Sequence, residues 1–424
     1  MKTLFKAYHR WLIWGLAAAF FFAEYFARVA PSVMVPELMQ SFRVNALSLG
    51  ALSAFFYYAY VSMQIPVGTL VDRFGAHRLL TLTAALCGIG CILFANTNHL
   101  AAAELGRFLM GLGAAFAFVG ALKLAHLWFP AERFGFFAGA TQALGMIGAA
   151  IGEGPVSVMV QNFGWRQTMW VIGLILIILA ALIGLIVRDR PNQYLTKEGA
   201  LAAPTSQGPG LLKGLMIVLK NPQTWINGLF VGFLYAPTAA FAELWGATYL
   251  DHVHEVSIDV AASAVSLIFI GWGIGSPIAG WLSDKMKRRK PILFFSALGS
   301  FLLMSTVLYF PHLSMKWIFV LLFLYGFANV GVATSYAVAC EINPQALSGT
   351  SMSFANMASV LVGAGFQPII GWLLDLNWDG KVLKGVPIYS AHDFHIALLA
   401  LPVCFIISLL CWLFLRETYC GRQQ

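Results

Sequence analysis

Apolar residues run along this chain in long blocks, without the strict alternation of a half-buried strand or the one-sided stripe of a soluble helix. Crossing a hydrocarbon layer takes about 20 residues of helix, and twelve blocks reach or approach that length. They cover residues 11–35, 47–71, 79–97, 102–127, 134–160 and 168–187, then 222–249, 258–282, 291–311, 316–339, 348–374 and 394–415. Polar residues collect in the short intervals between them. The one long polar interval is 188–220, which holds Arg188, Arg190, Pro191, Pro204 and Pro209. The pattern predicts an all-α membrane protein with twelve transmembrane helices in two six-helix bundles. Their bounds are expected at 1–190 and 221–424, with a cytoplasmic linker over 191–220.

Composition supports the bilayer as solvent. Of the 424 residues, 59% are hydrophobic and only 10% charged, against about 25% charged in ordinary soluble domains. Such a chain has too little polar surface for a water-soluble fold. The first apolar block continues past residue 30 with no short core and cleavage site, so a removable signal peptide is not expected. The six cysteines include no C-x-x-C pair and no His-rich neighbourhood, so neither metal nor cofactor is expected.

The net charge of +8 raises the question of nucleic acid, and the placement of the basic residues answers it. Of 26 Lys and Arg, 18 fall in the intervals on the side of the chain ends and five on the other side. The remaining three, Arg28, Arg107 and Lys123, lie within blocks. This asymmetry is a membrane-orientation signal that places both termini in the cytoplasm, and no nucleic acid partner is expected.

The two halves repeat. Gly68 and Asp72 after the second block answer Gly280 and Asp284 after the eighth, offset by 212 residues. Pro130 and Gly135 answer Pro344 and Gly349 at an offset of 214, and Gly152 and Pro155 answer Gly365 and Pro368 at 213. A near-constant offset points to duplication, which is common in transporters.

After the second block the chain reads GTLVDRFGAHRLL, residues 68–80. Gly68, Asp72, Arg73, Gly75 and Arg78 match the signature loop of the major facilitator superfamily, which this sequence resembles. Ala76 and His77 depart from that pattern, and the second copy keeps Gly280 and Asp284 but has Lys287 at the second glycine. Arg107 with Gly111 and Gly113, and the glycines of 145–154 followed by Pro155, resemble two further motifs of the superfamily. Glu24, Tyr25 and Arg28 in the first block resemble the organic-anion and sugar-phosphate carriers, in which an arginine of the first span helps bind an anionic group. The stretches FFFAEYFARVAPSVMVPEL and NPQTWINGLF resemble bacterial phagosomal nutrient transporters. The resemblance implies the major facilitator fold. It also implies that Asp72, set against the start of the eleventh span at Gly349–Ser351, latches the cytoplasmic side when the other side is open.

Ionisable side chains within a bilayer cost about 2.5–3.5 kcal/mol each on insertion scales, so they are the candidate chemistry. Glu24 and Arg28 stand one turn apart and share a face. Arg107 and Glu153 are expected at a similar depth. A cluster of two acids and two arginines could then exchange partners as a proton or an anionic solute arrives. Glu243 follows Pro237 late in the seventh block, where a proline favours a kinked or broken helix. It is either the acid of the second half or an interface residue beside Trp245 that reaches water. Lys123 either snorkels to the surface or acts on the solute. Tyr57, Asn329 and Tyr336 could supply polar contacts, although packing is the commoner role of such residues. His254 with Asp259 matches an H-x4-D acyltransferase pattern, but both lie in one short loop without a supporting soluble domain, so no enzyme is expected.

These readings converge on a proton-coupled importer of a small polar nutrient (amino acid, peptide, nucleoside or organic anion) in a bacterial inner membrane, working by alternating access. Its partners would be the solute, protons and the lipid bilayer. The alternative is a proton-driven exporter of a metabolite, siderophore or drug, because glycine-rich fifth spans also occur in antiporters.

Overall fold

The computed structural model describes residues 2–130, 133–189, 211–310, 312–383 and 385–420. Residues 191–210 of the expected linker lie outside the described residues, while Leu211–Lys220 form a helix that leads into the second half. Among the described residues, twelve helices are long and apolar enough to cross a membrane, six in each half, and they are numbered here as spans 1–12.

Several blocks that look continuous in the sequence are broken in space, and the breaks have local causes. Span 1 is an α-helix over Lys2–Val29, followed by a 3-10 turn, Ala30–Val33, and a separate short helix, Val35–Phe42. Pro31 has no amide to donate and cannot continue the helix. Span 2 runs over Ala46–Met63 and bends into Pro66–Phe74 at a second proline. Span 4 divides into Leu100–Ala114 and Ala117–Trp128, and its counterpart span 10 into Met315–Ala328 and Gly331–Glu341. Span 7 is α-helical over Pro222–Pro237, π-helical over Thr238–Trp245 and α-helical again over Gly246–His254.

Close helix contact without a hydrophobic driving force depends on small residues. Gly111 of span 4 presses against the Phe56 carbonyl of span 2, and Gly326 of span 10 against the Ile268 carbonyl of span 8. A Cβ fits at neither glycine, so each half repeats the same close approach.

The halves meet along two seams, span 2 against span 11 and span 5 against span 8. On the face away from the chain ends both seams are closed. Gly50 lies against the Gln367 and Pro368 backbone, Gly371 against Ala46, and Gly154 beside Ser263. Towards the face carrying the chain ends, Gly68, Gly139, Gly280 and Gly349 have nothing within 4 Å of a Cβ position. Among the described residues, the cross-half hydrogen bond nearest that face is Asn356 Nδ2 to Gln64 Oε1, at 2.6 Å. The molecule is therefore closed on the far face and open on the face of its termini.

Gly75 shows why the loop between spans 2 and 3 needs its glycine. Its backbone sits at φ +83° and ψ 147°, a region essentially restricted to glycine. A Cβ there would strike the Asp189 carboxylate, which accepts the His77 amide at 2.8 Å and so caps span 3. Gly75→Ala is expected to destabilise the N-terminal half by about 1–3 kcal/mol. A lowered unfolding temperature of the purified protein is the check, and an unchanged one would show that the loop absorbs the side chain.

Candidate functional site

Three of the buried charges, Glu24, Arg28 and Glu243, lie at the inter-bundle surface beside the breaks in spans 1 and 7. Glu24 and Arg28 occupy the last turns of span 1 before its break, and Arg28 Nη2 donates to Glu24 Oε1 at 3.1 Å. Both are buried, at 0% and 4% exposure. The guanidinium also lies over the rings of Tyr25, Tyr60 and Phe56, at 4.4, 4.8 and 5.4 Å. These cation–π contacts replace part of the lost hydration. Arg28 Nε and Glu24 Oε2 are buried and have no hydrogen-bond partner among the described residues.

Glu243 approaches the same region from the other half. Tyr235 of span 7 donates to its Oε1 at 2.7 Å, and Tyr57 of span 2 donates to its Oε2. The carboxylate thus joins the bundles and is 1% exposed. The π-helical stretch explains this geometry. In a regular α-helix a residue eight positions on lies about 80° out of phase. The wider i→i+5 turns of a π-helix delay the phase and bring Glu243 onto the face of Tyr235. Of the two sequence-based readings of Glu243, the one that sends it to water beside Trp245 is not what the structure has. Trp245 turns inward and donates to the Gln367 carbonyl at 3.0 Å.

The expected four-residue cluster does not form. Among the described residues, Arg107 reaches no carboxylate. Its Nη1 donates to the Ala27 carbonyl at 2.5 Å, and its Nη2 to the carbonyls of Arg28 and Ser53 at 3.4 and 3.2 Å. The reason is Pro31, which lacks the amide that would have bonded the Ala27 carbonyl four residues earlier. Arg107 supplies that missing donor and fixes the backbone at Arg28. Glu153 is likewise separate, fully buried in span 5 and accepting from Ser32 Oγ at 2.7 Å.

The remaining expected site residues divide by place. Tyr336 donates to Asn356 Oδ1 at 3.0 Å, and Asn356 in turn bonds Gln64. This polar chain runs across the inter-bundle surface on the open side of the site. Asn329 instead faces into the C-terminal bundle, where its Nδ2 donates to the Leu234 carbonyl and to Ser300 Oγ, each at 3.2 Å. Lys123 lies at the open face and pairs with Asp72 at 2.7 Å. Asp72 is therefore not at Gly349–Ser351 in this conformation, where its face of the seam is open. Arg73 and Arg78 are exposed near it. In the second copy, Arg289 joins Asp284 at 2.8 Å and Glu341 at 2.7 Å. These partners raise the Arg289 pKa despite its partial burial.

Tyr235 and Tyr60 complete the constellation around Glu243 and Arg28, and Ser32 holds the separate Glu153. Tyr235 and Ser32 escape a reading of sequence because their partners are 8 and 121 residues away in the chain. Pro31 was the available clue to Arg107, since a proline at a helix end announces an orphan carbonyl.

A family model described as Major Facilitator Superfamily matches residues 16–368. The chain is 23% identical over 392 residues to the probable sulfoacetate transporter SauU of Cupriavidus necator, covering 88% of this chain and 89% of that one. It is 24% identical over 409 residues to the probable galactarate/D-glucarate transporter GudP of Escherichia coli, covering 89% of each. Its fold matches that of a bacterial homologue of the human lysosomal transporter Spinster, solved in an inward-facing and unoccupied conformation. That match has a TM-score of 0.80 at 16% identity, over 96% of this chain and 97% of the other.

Proposed function

Since the chain belongs to the Major Facilitator Superfamily and is a membrane transporter, we propose that it imports a small organic anion together with protons. The observation that carries this reading is the convergence of the buried Glu24–Arg28 pair with Glu243, across the surface where the two halves meet. Arg28 is the anion anchor. Its remaining donors suit a pair of oxygens on a carboxylate, sulfonate or phosphate. Arg107 and Lys123 have other partners, so the site offers one cation. The tyrosines and the Tyr336–Asn356–Gln64 chain suit hydroxyl or carbonyl groups on the rest of the solute.

Glu24 and Glu243 carry the proton coupling. An anion on Arg28 competes with Glu24 for the guanidinium, and a carboxylate that loses its cation in a dry site takes up a proton. The named substrates of SauU and GudP, organic acids both, support the choice of solute. We place the protein in a bacterial inner membrane, and the distribution of basic residues supports termini in the cytoplasm. The structure is then the inward-open state, and transport rocks residues 1–190 against 221–424.

The test is uptake of labelled organic acids, including a sulfonate and an aldarate, into proteoliposomes with and without an inward proton gradient. Accumulation that collapses with a protonophore is expected. Amino acid or nucleoside accumulation without any organic acid signal would displace the anion reading. Release of preloaded solute driven by the same gradient would make the protein an exporter.

A further inference from the structure

The far-face end of the span 2–span 11 seam carries a contact whose parts come from both halves. Span 2 begins at Ala46, and its third amide, Ser48 N, is capped within the half by Asn45 Oδ1 at 3.0 Å. Its first two amides are not. Ala46 N donates to Asp375 Oδ1 at 3.3 Å and Leu47 N to Asp375 Oδ2 at 3.0 Å, from the end of span 11. Tyr389, just before span 12, donates to Asp375 and accepts from Ala46 N at 3.0 Å. Gly371, one turn earlier in span 11, leaves room for Ala46 to come this close.

A carboxylate at a helix N-terminus satisfies orphan amides and meets the positive end of the helix dipole. Here that carboxylate belongs to the other bundle, so the cap exists only while the far face is closed. The second seam is built differently. By the internal repeat, Gln161 of span 5 stands at the position of Asp375, offset by 214, and Ile258 at that of Ala46, offset by 212. Gln161 is uncharged and, among the described residues, its side chain donates to Asp259 Oδ1 alone, at 3.4 Å. Span 8 thus carries an acid of its own in its first turn, whereas span 2 borrows one.

We propose that Asp375 and Tyr389 form an inter-bundle latch that holds the extracytoplasmic face shut, with the first amides of span 2 as its receptor. Opening that face strips the carboxylate from both amides and leaves them to water, so the latch sets the equilibrium towards the inward-open state. The same seam then carries an acid near each end, Asp375 beside the start of span 2 and Asp72 beside Lys123 at the opposite face. The proposal rests on the alternating-access part of the proposed function and not on the solute or the proton.

The reporter is a cysteine behind the closed face. Ser266 on span 8 is buried and lies across the seam from Gly154, so Ser266→Cys is expected to react with an external membrane-impermeant maleimide only when that face opens. Labelling is measured in right-side-out vesicles without solute, against vesicles that lack the reporter cysteine. Asp375→Asn keeps the shape but removes the charge from the amide bonds, and charge-assisted bonds are about twice as strong as neutral ones. It is expected to speed external labelling about tenfold. Tyr389→Phe, which removes one donor and one acceptor, is expected to speed it about threefold. Labelling unchanged in both variants overturns the latch. So does a lower unfolding temperature of Asp375→Asn at constant labelling, which would make the contact merely structural. Should Asp375→Asn fail to reach the membrane, Tyr389→Phe decides alone. Because no solute is present, an error in the substrate assignment leaves this result untouched.

Discussion

Arg28→Lys is expected to lower organic-anion uptake at sub-saturating concentration by about a hundredfold while leaving a folded protein. The charge is kept, so a purely electrostatic role would survive the change. What is lost is the planar fork, which here stacks on three aromatic rings and bonds Glu24 with one of its nitrogens. An ammonium cannot stack in that way, and it offers a point charge in place of a paired set of donors. Hydrogen bonds to charged groups contribute about 1.5–3 kcal/mol each, so losing one or two gives a change of that size. Initial rates in proteoliposomes over a range of solute concentrations, with size-exclusion chromatography as the folding control, make the measurement. Uptake within about twofold of the parent would mean that the anion binds elsewhere on the inter-bundle surface.

Glu243→Gln is expected to remove concentrative uptake altogether, bringing the accumulation ratio to about one, while exchange of internal for external solute continues. The neutral side chain still accepts from Tyr57 or Tyr235 and has nearly the same shape, so the contact between the bundles persists. It cannot carry a proton across the membrane. The discriminating measurement is counterflow beside net accumulation on the same vesicles. Full protonophore-sensitive accumulation by the variant would move the coupling to Glu24 or Glu153. Loss of exchange as well as accumulation would make Glu243 part of the solute site instead.

The pair Glu24–Arg28 was legible because both residues sit on one helix at a spacing that fixes their neighbourhood. Arg107 and Glu153 are both fully buried, and counting along the helices predicts a similar depth for them. Their expected meeting failed because depth does not give azimuth. Two residues at one level can face different neighbours, and a carbonyl orphaned by Pro31 drew Arg107 away from any acid. Glu243 marked itself as a buried acid after a proline, but its bond to Tyr57 spans 186 residues and depends on a π-helical phase shift that no hydropathy pattern records. Asp375 gave no sign at all, because a carboxylate near the end of a span also reads as an ordinary interfacial residue.

By itself, then, the sequence determined the twelve spans, the twofold repeat and the side on which positive charge collects. Each follows from the transfer of single residues or short segments between water and lipid, an energy that adds along the chain and needs no knowledge of neighbours. The tertiary structure decided which buried charges meet, which face is shut and what shuts it. Those depend on the bonds that broken helices leave open, and in a medium without water an orphan donor or acceptor takes whichever partner the packing of other helices brings within reach.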